Sequence, residues 1–251
     1  LTSQQPVALV TGANSGIGVE IARRLVGDGF RVILSGRNEE RGQAVASELG
    51  PEAHWIRADL TDSADIQRLV TETVDSGGRL DVLVNNAGLD LVGPILDVPE
   101  EELRANFETN VFGTIAALQA AGRVMRDQGE GGAIINITSR LALIGVPTMS
   151  LYGAGKGAIQ SLTTAAAVEL APLNIRVNAV APGMAKTPLY ETWLSNQEDP
   201  EATERDVAGK IPLGRIADPS DVAAAVSYLA SPGAAYITGT TIPVEGGYIS
   251  Q

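Results

Sequence analysis

Tyr152 and Lys156 stand four residues apart in a helix-patterned segment, so one helix face would carry both side chains. A free phenol has a pKa of about 10 and carries protons poorly at neutral pH. A neighbouring ammonium favours the phenolate, which predicts a lowered Tyr152 pKa. Tyr152 would then act as general acid in a reduction and general base in an oxidation. Ser139 precedes Tyr152 by thirteen residues and follows an apolar run read as a strand. A hydroxyl at a strand end can donate to a carbonyl oxygen as charge develops there. Ser139 does not read as a hydrolase nucleophile. No G-x-S-x-G elbow surrounds it, and the single histidine, His54, is remote in sequence. A blander reading leaves Ser139 bonded to local backbone. It leaves Tyr152 and Lys156 on the surface of an ordinary helix.

These side chains need elements to position them. Short apolar runs at 7–10, 31–34, 54–57, 82–84, 133–137, 176–180 and 241–244 read as strands covered on both faces. Helical patterns such as 17–26, 39–49 and 64–74 lie between them. That alternation predicts an α/β fold: a single-domain, doubly wound parallel sheet. The first run leads directly into Thr11-Gly-Ala-Asn-Ser-Gly-Ile-Gly18 and then a helix. Gly12 permits a tight turn, Gly16 lets backbone approach a pyrophosphate, and Gly18 allows close packing of helix on strand. Backbone N–H groups and the helix dipole favour an anion at that point. The first two glycines lie one residue further apart than in G-x-G-x-x-G.

That wider spacing, and the ordered motifs after it, resemble the short-chain dehydrogenase/reductase family. The motifs are Asp59-Leu60, Asn85-Asn-Ala-Gly88, Asn110, Ser139, Tyr152-Gly-Ala-Gly-Lys156 and Pro182-Gly-Met-Ala-Lys-Thr187, and they span essentially the whole chain. The resemblance is greatest to 3-oxoacyl-carrier-protein reductases and polyketide ketoreductases. It implies a Rossmann fold and a catalytic set of Asn110, Ser139, Tyr152 and Lys156. Asn110 would hold a water in the proton relay, and Lys156 would also hold the nicotinamide ribose. Gly12, Asn14, Ser15, Gly16, Ile17 and Gly18 would take the cofactor phosphates. Asp59 and Leu60 would meet the adenine, and Asn86, Ala87 and Gly88 the adenosine and ribose. Pro182, Gly183, Ala185 and Thr187 would hold the nicotinamide carboxamide. The resemblance implies no metal. It also implies a homotetramer or homodimer built on helices near 106–125 and 151–171. Gly153 and Gly155 depart from the family pattern. Each costs about 1 kcal/mol of helix propensity against Ala, and close packing against ligand is one use for them.

The end of the second strand separates NAD from NADP. The acidic position that would repel a 2′-phosphate falls on Gly36, and Arg37 follows. NADP(H) is the expected cofactor, with NAD(H) less favoured. The competing reading has Arg37 stacked on adenine or lying in solvent. Leu141, Leu143, Ile144, Pro147, Met149, Leu189 and Trp193 are candidate substrate-pocket residues, and they suggest a small, largely apolar ketone, aldehyde or secondary alcohol. A polar insertion at about 184–210 reads as a lid. Two arginines that dock an acidic carrier in acyl-carrier reductases fall on Glu130 and Leu173, which favours a free small molecule. Enoyl reductases place Tyr seven residues before Lys; here that position is Met149.

Composition narrows the classes further. The chain has 251 residues, 44% hydrophobic and 19% charged, as globular domains do. It has no cysteine, which excludes thiolate catalysis and Cys-bound metals. The net charge of −12 disfavours nucleic acid and anionic membranes. No apolar run is long enough for a membrane span and no signal-peptide pattern opens the chain, so a cytoplasmic location is expected. Two other readings compete. A cofactor-sensing regulatory protein would need the glycine loop but not the four catalytic residues. A halohydrin-lyase-like relative would carry an altered loop and arginine in place of Lys156.

Overall fold

Val, Ile, Leu and Ala fill the strand runs without polar alternation, so both faces of each strand must be covered. The computed structural model describes residues 5–251 and meets that demand with one seven-stranded sheet. Its strands are β1 (Val7–Thr11), β2 (Arg31–Gly36), β3 (Ala53–Arg57), β4 (Val82–Asn85), β5 (Gly132–Ile137), β6 (Ile175–Pro182) and β7 (Thr241–Val244). They lie in the order β3-β2-β1-β4-β5-β6-β7, and every pairing is parallel. The expected strands are all present.

The side-chain period of two splits β1 between two cores. Ala8 and Val10 pack with Ile21 and Leu25 of α1 (Gly16–Gly27). Val222 and Val226 of α9 (Pro219–Ala230) complete that face. Val7 and Leu9 face the other side, against Ile66 and Leu69 of α3 (Ser63–Gly77). Ala117 and Ala121 of α5 (Thr114–Gln128) and Ala166 and Ala167 of α6 (Ser150–Leu170) join them. Small alanines let these two helices lie close to the sheet. The remaining helices are α2 (Glu39–Leu49), α4 (Glu100–Phe107), α7 (Pro188–Ser195) and α8 (Pro200–Gly209).

Three features of this scaffold position the site. Strand order reverses between β1 and β4, and a doubly wound sheet opens a crevice at its carboxyl edge there. Helix α4 continues into α5 through a wider π turn, Glu108–Gly113, which carries Asn110. Gly113 passes so near the loop after β3 that a Cβ would lie 2.6 Å from the Leu60 carbonyl oxygen. Finally, the polar 184–210 segment is not bare loop. It folds into α7 and α8, and Tyr190 packs with Ile211 and Ile216 as a small separate core.

Among the described residues, no helix is long and apolar enough to cross a membrane. Leu9 is fully buried at the sheet centre. Leu9→Ala is expected to lower the unfolding free energy by about 2–5 kcal/mol in urea titration. A loss well under that range would mean the core around Leu9 is not tightly filled.

Candidate active site

The glycine loop folds as its spacing demands. Gly12 and Gly16 adopt φ of 65° and 55°, which a side chain would oppose. Gly18 packs its α-carbon onto the Gly12 carbonyl and the Asn86 amide; a Cβ there would stand 2.6 Å from Asn86 Nδ2. Its neighbour is thus the turn itself as much as the strand. Asn86 Nδ2 donates to the carbonyls of Thr11 and Gly12, each at 3.0 Å. Thr11 Oγ1 accepts from the backbone N–H groups of Asn86 and Ala87, at 3.1 and 3.2 Å. The loops after β1 and β4 are therefore one unit.

Between that unit and α7 lies a cleft of about 460 Å³. Asn14, Ser15, Gly16, Ile17 and Gly18 line it, with Arg37, Asp59, Leu60, Asn86, Ala87 and Gly88, as the sequence suggests. Thr187 and Leu189 close its other side, joined by Thr11, Asn38, Thr109 and Pro188, which the sequence did not single out. Asn38 could have been found as the N-cap of α2, where its side chain accepts from Arg41 N at 2.9 Å. Pro182, Gly183 and Ala185 are not on this wall. Gly183 N donates to Val244 O at 2.9 Å, and Ala185 bridges to Ala217. They brace the end of β6 against β7 and the start of α9.

Beyond Gly88, which lines this cleft and lies against Lys156, come the groups expected to transfer the proton. Lys156 is buried inside α6, and its Nζ donates to the Ile137 carbonyl at 3.0 Å. Burial lowers its pKa to about 8, against the opposing pull of the Asp90 carboxylate. Tyr152 lies on the same helix face, with Lys156 Nζ 5.7 Å from its ring centroid. Its phenol is raised above the ordinary value by burial and then by Asp90, while the nearby Ser139 hydroxyl pulls the other way. The expectation that Lys156 lowers the Tyr152 pKa is not met. The ammonium is turned toward Ile137, and desolvation sets the direction of the shift. Ser139 caps the short turn after β5 by accepting from Leu141 N at 3.1 Å.

Asn110 Oδ1 accepts from Leu89 N at 2.7 Å, and its Nδ2 donates to Leu89 O at 2.8 Å. Asn106 Nδ2 adds a second bond to the same carbonyl at 2.8 Å. The Asn110 side chain is thereby committed to holding the loop after β4. At Gly88, a Cβ would lie 3.3 Å from Lys156 Nζ, so this loop lies directly on the lysine.

Position 36 has little room for a side chain. A Cβ there would stand 3.1 Å from the Trp55 ring and 3.2 Å from Asn14 Oδ1. The exposed Arg37 has no hydrogen-bond or ion-pair partner among the described residues. Register pairing sets Gly36 beside Arg57, a second guanidinium at this edge. The residues present suit a nicotinamide dinucleotide.

Leu141, Leu143, Ile144, Pro147 and Met149 all lie on the connection from β5 to α6. Leu189 is 60% exposed and lines the cleft, whereas Trp193 instead stacks on Tyr190 at 5.7 Å between centroids. Gly153 packs against protein: a Cβ would lie 2.8 Å from the Leu141 carbonyl oxygen, and Gly155 has ordinary clearance. Ligand packing therefore does not account for these two glycines. Asp90 is the functional candidate that sequence reasoning missed. Its signal was a lone acid between Leu89 and Leu91 just after Asn85-Asn-Ala-Gly88.

A family model described as enoyl-(acyl carrier protein) reductase matches residues 12–249. The diacetyl reductase [(S)-acetoin forming] of Staphylococcus epidermidis is 40% identical, covering 96% of this chain and 98% of its own. The chain belongs to the short-chain dehydrogenase/reductase family. The L-2,3-butanediol dehydrogenase of Corynebacterium glutamicum is 38% identical over 97% of this chain and 98% of its own. An actinorhodin polyketide ketoreductase variant solved with NADPH superposes with a TM-score of 0.90, at 39% identity and 97% coverage of both chains. This short-chain dehydrogenase/reductase is thus a hydride-transfer oxidoreductase acting on carbonyl or alcohol substrates.

Asn110→Ala leaves the Leu89 N–H without its partner, while the Leu89 carbonyl keeps only the Asn106 bond. A stability loss of about 1–3 kcal/mol is expected, with faster amide exchange at Leu89. Unchanged Leu89 protection would contradict the role given to that side chain.

Proposed function

We propose that this chain is an NADP(H)-dependent carbonyl reductase or alcohol dehydrogenase acting on a small, free, largely apolar molecule. The observation that carries the cofactor choice is position 36, crowded by Trp55 and Asn14, with the unpaired Arg37 beside it. An acid able to repel a 2′-phosphate is missing there, and a guanidinium able to grip one is present. The NADPH bound to the polyketide ketoreductase neighbour agrees with this reading.

The glycine loop and the α1 N-terminus would hold the pyrophosphate. Asp59 and Leu60 would flank the adenine, and Asn86, Ala87 and Gly88 the ribose side. Lys156 would reach the nicotinamide ribose, with Pro182, Gly183, Ala185 and Thr187 on the carboxamide side. When bound, the nicotinamide supplies or accepts the hydride. Tyr152 donates its phenolic proton to the developing alkoxide during reduction. Its raised pKa keeps that proton in place at neutral pH. The Ser139 hydroxyl donates to the same oxygen and orients it. Lys156 returns a proton through the ribose side and water near Asn110. Leu141, Met149, Leu189 and Trp193 would surround the substrate, with α7 and α8 closing over it as a lid.

Tyr152 stands four residues before Lys156, with Met149 at seven, which favours carbonyl over enoyl reduction. Glu130 is engaged by Arg79 Nη2 at 2.7 Å and Leu173 carries no charge, so neither offers an acidic carrier a partner. Assembly as a homotetramer or homodimer through α5 and α6 goes with this reading.

Two variants test it. Tyr152→Phe is expected to lose turnover by about a hundredfold or more while still binding NADPH. Unchanged turnover would refute the proton-transfer role. Arg37→Ala is expected to weaken NADPH binding roughly ten- to a hundredfold, and NADH binding far less. Equal losses for the two cofactors would remove the 2′-phosphate contact.

A further inference from the structure

Asp90 lies on the loop that meets Lys156, yet the proton-transfer steps make no use of it. It sits on a loop that cannot drift. Leu89, just before it, is held at both backbone groups by Asn110 and at its carbonyl by Asn106 as well. Leu91, just after it, is buried. Gly93 N then donates to Thr148 O at 2.8 Å, tying the same loop to the approach to α6. Gly88, two residues earlier, lies against Lys156 Nζ. The loop is therefore fixed next to the groups that meet the reacting carbonyl.

The Asp90 residue is exposed, and no hydrogen bond or ion pair among the described residues engages its carboxylate. Protein around it is nevertheless close enough for desolvation to raise its pKa, with Lys156 opposing. The carboxylate in turn acts on both Tyr152 and Lys156. Asp90 is two residues from the glycine that lies on Lys156, on a loop tied to the approach to α6, so it borders the space where groups one or two bonds from the carbon that Tyr152 serves would lie. The connection from β5 to α6 meanwhile offers mostly apolar side chains: Leu141, Leu143, Ile144, Pro147 and Met149. A free carboxylate in such surroundings selects for a hydrogen-bond donor and against an anion.

The geometry points to Asp90 as a specificity-determining residue that accepts a hydrogen bond from a hydroxyl on the carbon next to the reacting one, so that the preferred substrates are α-hydroxyketones and the corresponding vicinal diols. This rests on the carbonyl-reductase reading above and narrows it, since an apolar pocket alone would not prefer the hydroxylated compound.

The test compares acetoin with butanone, which lacks only that hydroxyl, under NADPH oxidation. The quantity read is the ratio of kcat/KM for the two ketones. Any effect of Asp90 on the protonation of Tyr152 or Lys156 acts on both and cancels. The intact protein is expected to prefer acetoin by about tenfold, the worth of a partly exposed hydrogen bond to a charged group. Asp90→Leu should lower that ratio at least about threefold, and Asp90→Asn, which keeps an acceptor oxygen, should lower it less. The use of two variants guards against one failing to fold. A ratio near unity in the intact protein, or one that survives Asp90→Leu, overturns the assignment. Preference-free turnover of both ketones overturns this inference alone. Turnover of neither overturns the functional reading along with it.

Discussion

A primary ammonium buried in the protein is the constraint around which the rest of the site is arranged. Lys156 is only 6% exposed, and desolvation disfavours its charge strongly enough to bring its pKa to about 8 from 10.5. Below about 8 both folded and unfolded chains hold the proton, and the folded state bears the full penalty of burial. Between about 8 and 10.5 the unfolded chain binds more protons, so this group makes stability rise with pH. The fold tolerates that penalty at neutral pH because the lysine has specific partners. The Ile137 carbonyl accepts a hydrogen bond from it, and the Asp90 carboxylate, without direct contact, offsets part of the desolvation.

Those partners depend on the sheet. Ile137 is the last residue of β5, and its free carbonyl exists because the strand ends there. A buried ladder below it runs from Asn85 Nδ2 to Asn136 Oδ1 and from Asn136 Nδ2 to Thr163 Oγ1, each at 2.9 Å. It locks β4, β5 and α6 in register. The loop after β4 is fixed from above by the two asparagines on the α4–α5 helix and from the side by Thr11 and the glycine turn. The glycine loop, α6 and the loop after β4 are therefore coupled through carboxamide side chains, which can donate and accept at once. The same desolvation that depresses Lys156 raises Tyr152, so the two groups approach their tasks from opposite sides: one holds its proton and the other gives it up more readily.

Much of this was legible in the sequence because local rules and the fold agree. Strand runs without polar alternation, a glycine loop between strand and helix, and a four-residue Tyr–Lys spacing each point to the same sheet edge. What escaped was set by tertiary contacts. The Tyr152 pKa moves up, not down, because burial and Asp90 outweigh the Ser139 hydroxyl, while the Lys156 ammonium is turned toward Ile137. The Asn110 side chain spends its hydrogen bonds on Leu89, which no spacing rule reveals. Gly153 is bare because the Leu141 carbonyl crosses the helix there, a contact between segments twelve residues apart. Pro182, Gly183 and Ala185, read from their motif as cofactor residues, also join β6 to its surroundings, which the motif does not reveal.

That burial lowers the Lys156 pKa can be read directly. Lysine side-chain nitrogens in ¹⁵N-labelled protein are followed by NMR across the alkaline range, with Lys156→Met identifying the signal. One lysine is expected to titrate near 8, apart from the others, and to be absent from the variant. A Lys156 signal that titrates with the surface lysines, at about 10.4, would contradict that effect of burial.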